Sequence, residues 1–216
     1  MKKIVLLFFL SSAFVFAQLP SLNGYKYINT LKEGNKRFVN NKTADKDFPM
    51  ERAELAKGQK PYAIVVTCSD SRVPPEYIFD EHLGKLFVIR TAGNVLDKVE
   101  LGSIEYAAEH LHSPVLLILG HTSCGAVHAT IEGGELHSQN LEAIVNKIEP
   151  AVSKAKKTHK HEHELMDASI KENVLNQINY AEKNSKILKE LIENKKLTVV
   201  GGIYDIKSGV VEFIEE

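Results

Sequence analysis

Tyr62-Ala63-Ile64-Val65-Val66-Thr67-Cys68-Ser69-Asp70-Ser71-Arg72 is an unbroken apolar, β-rich run that ends abruptly in reactive polar side chains. A counterpart lies downstream, Val115-Leu116-Leu117-Ile118-Leu119 running into Gly120-His121-Thr122-Ser123-Cys124-Gly125. Continuous apolar runs of this length suit strands buried on both faces of a parallel sheet. Open α/β sheets place their sites at the carboxyl ends of such strands. If the two strands are neighbours, Cys68, His121 and Cys124 converge. Two thiolates and an imidazole suit tetrahedral Zn²⁺, and three protein ligands leave a fourth position open, as in catalytic rather than structural sites.

Working outward, strands alternate with amphipathic helices. Helical spacing covers Leu22 to Val39, through Tyr27, Ile28, Leu31 and Phe38, and a short helix follows from Met50 to Lys57. The first of these precedes any strand and needs a surface to lie on, one that a second subunit can supply. Val73-Pro74-Pro75-Glu76 opens a helix that tolerates proline in its first turn. Lys85 to Arg90 is a second strand, running into the small residues of Thr91-Ala92-Gly93-Asn94, where the backbone can approach a neighbour closely.

Glu100 to His112, Ser123 to Ile131 and Leu141 to Ala155 read as helices. Thr158 to Glu164 reads as a polar loop, and Ser169 to Glu172 has the form of a capping box that starts one long helix. Leu197 to Gly201 is a fourth strand, and Gly202 to Ile206 pairs with Val210 to Ile214 as a hairpin. The fold expected is α/β: a mainly parallel central sheet flanked by helices, an N-terminal helical arm and a C-terminal antiparallel hairpin.

The 216 residues are 44% hydrophobic and 25% charged, with a formal net charge of −1. That balance is ordinary for a globular protein and points to no nucleic-acid partner. Residues 1–17 read as a secretion signal. Lys2 and Lys3 are followed by the apolar run Ile4 to Leu10, too short to span a membrane, with cleavage expected after Ala17. The product is then periplasmic or otherwise exported, with no membrane span after cleavage. Residues 18–57 are expected to form an N-terminal helical arm that could serve dimerisation, and residues 58–216 the α/β domain that would bind zinc. In an exported chain two cysteines can also form one disulfide, and spacing alone does not separate that reading from zinc.

Asp70 and Arg72 follow Cys68 at steps of two, so in an extended segment all three point the same way. Asp70 can then stand beside a metal-bound water or bind the metal, with Arg72 as a bidentate partner that fixes the carboxylate. The alternative is a local ion pair capping the next helix. Zn²⁺ with an open position lowers the pKa of its water to about 7 and makes hydroxide available to attack a small electrophilic carbon.

Cys68-Ser-Asp70-Ser-Arg72-Val-Pro, Leu86-Phe-Val-Ile-Arg90-Thr-Ala-Gly-Asn94 and Gly120-His121-Thr-Ser-Cys124-Gly125 together resemble the β-class carbonic anhydrases. The resemblance covers Gly58 to Ile131 closely. It implies reversible hydration of carbon dioxide to bicarbonate and a proton. Zinc would sit on Cys68, His121 and Cys124, with a hydroxide nucleophile oriented by an Asp70–Arg72 dyad. It implies a homodimer or dimer of dimers with the N-terminal helix wrapped on the neighbour. Phe87 and Tyr106 fall where the family places pocket-lining aromatics that reach the partner's site, with core packing as the alternative, and Gly93 is a third pocket position.

Family members whose activity bicarbonate switches off use a tryptophan in the regulatory anion site. This chain has no Trp, so that control is not expected, although Asp70 can still become a fourth ligand in an inactive form at low pH. Two rivals remain: carbon disulfide hydrolysis on the same ligands, and a periplasmic metal-binding protein using His159, His161 and His163.

Overall fold

The computed structural model describes residues 23–214, so the expected secretion signal lies outside the described residues. Among the described residues no helix is long and apolar enough to cross a membrane.

The sheet has five strands: β1 (Ala63–Cys68), β2 (Leu86–Thr91), β3 (Val115–His121), β4 (Thr198–Tyr204) and β5 (Val211–Ile214). They lie in the order β2-β1-β3-β4-β5, with the first four parallel and β5 antiparallel to β4. Every residue of β1 and β3 is buried, and period-2 alternation explains how. Ile64, Val66, Leu116 and Ile118 face one layer, formed by α4 (Lys98–Glu105), α7 (Glu162–Asn184) and α8 (Lys186–Glu193). Ala63, Val65, Val115, Leu117 and Leu119 face the opposite layer, with Ile28 and Leu31 of α1 (Asn23–Val39), Ile78 of α3 (Pro75–Ile78), and Phe79.

The surface beneath α1 belongs to its own chain. Leu31 is fully buried, and Asn35 donates to the carbonyls of Ile78 and Gly209 and accepts from the Val211 N–H. Gly34, a poor helix former, sits where an added Cβ would lie 1.8 Å from the Phe79 carbonyl oxygen. Close docking requires its small size. The linker after α1 is tied down by Asp80, whose buried carboxylate meets Arg37, Lys46 and the Ala44 N–H. A short helix follows, α2 (Phe48–Leu55).

Three expectations are corrected. The long helix begins at Glu162, not at Ser169, which is buried inside it. Glu162 and Glu164 occupy its first turn, where negative charge complements the helix dipole, so only the front of the Thr158–Glu164 stretch is loop. Nor is that helix the one long helix expected before the fourth strand: it breaks at Ser185, which accepts from the Leu188 N–H and donates to Glu105. Finally, the fourth strand and the first arm of the hairpin are one strand, β4. Gly201 does not interrupt it; a Cβ there would lie 2.9 Å from Val174 and 3.1 Å from Ile214, so the glycine lets α7 and β5 close on the sheet.

Candidate metal centre

Chain order and sheet order reverse between β1 and β3. β2 follows β1 on one side, and β3 is laid on the other. The crevice at such a switch point, beyond the carboxyl ends of the strands, is where open α/β sheets bind ligands. Cys68 ends β1, His121 ends β3, and Cys124 caps α5 (Gly125–Glu132). Their Sγ, ring nitrogen and Sγ atoms all lie within 4.8 Å of one another, and all three residues are buried. Both cysteines are free thiols, and α6 (Gln139–Ala155) lends Ile148 and Val152 to the apolar wall behind them.

The His121 ring is oriented for ligation. Its Nδ1 lies 2.9 Å from the Thr122 carbonyl; a carbonyl only accepts, so Nδ1 carries the proton and Nε2 keeps its lone pair. Nε2 is buried and has no hydrogen-bond partner among the described residues. An orphaned imidazole nitrogen beside two thiols fits a borderline-soft cation such as Zn²⁺.

The two sulfurs share a proton. The Cys68 thiol is held low, foremost because Cys124 S–H donates to it. Burial opposes this, and the N–H groups of Asp70 and Gly93 assist. Cys124 is pushed up by the same shared proton and by burial, against the N–H groups of Val127 and Ala126 at the start of α5.

Asp70 and Arg72 form a bidentate pair, with Nε to Oδ1 at 2.9 Å and Nη2 to Oδ2 at 2.7 Å; the Arg72 N–H adds a third bond to Oδ1 at 2.9 Å. The guanidinium holds the Asp70 carboxyl well below the usual carboxylate range, overcoming partial burial. Committed to Arg72, Asp70 lies outside the three-residue ligand cluster. Arg90, which sequence reasoning left without a role, clamps this loop from β2: Nε reaches the Cys68 carbonyl at 3.1 Å and Nη2 the Asp70 carbonyl at 2.6 Å. Its position at the carboxyl end of a parallel strand beside β1 was the available signal.

Gly93 sits at the cluster, its N–H 3.3 Å from Cys68 Sγ in backbone at φ +67°. Phe87 and Tyr106 do not. Their ring centroids are 6.2 Å apart, and Phe87 pairs with Ile64, four positions before Cys68. At about 3.3 Å per residue that puts it roughly 13 Å down the sheet. Gly120, next to His121, is small because α7 packs against it: a Cβ there would meet Val174 at 2.7 Å.

The sequence profile of the carbonic anhydrase family matches residues 63–211. The chain is 37% identical over 204 residues to carbonic anhydrase 2 of Mycobacterium tuberculosis, covering 88% of this chain and 93% of that protein. It superposes on the β-carbonic anhydrase CcaA with a TM-score of 0.69 at 25% identity, over 88% of this chain and 92% of that one. A tetrameric β-carbonic anhydrase from Sordaria macrospora shares the fold, with a TM-score of 0.68 at 23% identity over 89% and 95% of the two chains.

Proposed function

The chain belongs to the β class of carbonic anhydrases, and on that premise we propose that it hydrates carbon dioxide reversibly to bicarbonate and a proton at zinc held by Cys68, His121 and Cys124. The observation that carries this reading is the buried, unpartnered Nε2 of His121 between two thiols. When bound, zinc lowers the pKa of a coordinated water to about 7 and so supplies a nucleophile near neutral pH.

The chain's own groups do the rest. Arg72 keeps Asp70 ionised, so the carboxylate accepts a hydrogen bond from the nucleophile without retaining its proton. An acceptor fixed by two guanidinium bonds aims the nucleophile's free lone pair at the carbon, an orientation effect. Arg90 holds the Cys68 and Asp70 carbonyls, which keeps ligand and acceptor in one frame.

The assembly is a homodimer or a dimer of dimers. β2 is an edge strand, and Tyr106 is 48% exposed beside Phe87; a second copy would cover this edge and receive the two aromatics at its own pocket. Lys2, Lys3 and the apolar run after them support export. Metal analysis together with a carbon dioxide hydration assay tests the reading. One zinc per chain, lost in Cys124→Ser along with hydration, is expected. Hydration at the parental rate in a zinc-free sample would overturn it.

A further inference from the structure

Behind the cluster, α7 carries two amides on one face at i and i+4, Asn173 and Gln177, which are 0% and 1% exposed. They form a directional chain. The Leu96 N–H donates to Gln177 Oε1 at 2.9 Å, Gln177 Nε2 to Asn173 Oδ1 at 3.0 Å, and Asn173 Nδ2 to the Gly93 carbonyl at 2.8 Å. Flipping the Asn173 amide would set its carbonyl oxygen against that of Gly93, so the chain runs only one way. A buried amide costs free energy unless it is bonded. Two of them placed among Val174, Ile178 and Ala181 of the same helix have no packing advantage over leucine. Both ends of the chain grip the same loop, Gly93 and Leu96, whose Gly93 N–H points at Cys68 Sγ.

We propose that Asn173 and Gln177 are positioning residues for the metal: by fixing the loop after β2 they aim the Gly93 N–H at the Cys68 sulfur. That hydrogen bond draws electron density from the thiolate and orients it, which tunes how strongly it donates to zinc. The proposal rests on Cys68 being a zinc ligand.

The test replaces zinc by Co²⁺ and follows the thiolate-to-cobalt charge-transfer band, with zinc affinity measured by chelator competition. In Asn173→Leu the band should move to longer wavelength and zinc affinity should fall by about 10- to 100-fold. Gln177→Met should move both the same way by less. Ser185→Ala, which breaks the α8 cap elsewhere in the fold, should move neither. A folded Asn173→Leu with the parental band and zinc affinity overturns the proposal; if that variant does not fold, the same result in Gln177→Met overturns it. A parental band that persists in Cys68→Ser instead removes the ligand assignment, and the proposal with it.

Discussion

Asp80→Asn should make the protein less stable at neutral pH but not at acid pH. Asp80 is fully buried in backbone at φ +48°, a conformation that Asn tolerates, so the substitution removes charge with little backbone cost. Burial pushes the carboxyl up, but Lys46, Arg37 and the Ala44 N–H outweigh it and hold the pKa at about 2, against an ordinary 3.8. At about 1.4 kcal/mol per pKa unit, that gap stabilises the folded state by about 2 kcal/mol. The sign follows from a depressed folded pKa: the stabilisation is complete above pH ~4 and is lost as pH falls toward 2. Urea denaturation of parent and variant from pH 7 down to 2, at fixed protein concentration, should show a gap of about 2 kcal/mol that closes below pH ~4. A gap of constant size across that range would refute the electrostatic account and assign the cost to packing.

Gly34→Ala puts a Cβ 1.8 Å from a backbone oxygen that cannot swing aside, so α1 should lift from its seat. Limited proteolysis should then cleave the arm faster than in the parent, and equal rates would mean the contact relaxes. Gly93→Ala would bring a Cβ to 2.7 Å from Ile148 Cδ1 at a positive φ, turning the N–H away from Cys68. Zinc release to a chelator should accelerate by at least an order of magnitude, and parental release would show that this N–H is dispensable.

The strands and the ligand cluster were legible because both are local signals. Apolar runs name β1 and β3, and the polar residues that end them name Cys68, His121 and Cys124. Parallel packing then brings the strand ends together with little further choice. What escaped depends on partners far along the chain. Asn35 looked like an ordinary helix residue, yet its bonds reach Ile78, Gly209 and Val211. Nothing in the local pattern singles out Asn173 and Gln177, because the loop they hold lies about 80 residues away in sequence. Ser169 carried the form of a cap, but the helix had already begun at Glu162. Gly201 and Gly202 read as the boundary between two strands, whereas their small size serves close packing within one strand. Phe87 of the edge strand β2 and Tyr106 beside it lie away from the ligand cluster, a placement that local sequence pattern does not encode.

Stopped-flow carbon dioxide hydration by the protein at mildly alkaline pH, with zinc determined on the same sample and Asp70→Ala run beside it, tests the proposed activity most directly. Fast hydration at one zinc per chain is expected, falling by about 100-fold or more in Asp70→Ala while the zinc stays bound. Bound zinc with hydration no faster than buffer, or an Asp70→Ala variant as active as the parent, would contradict it.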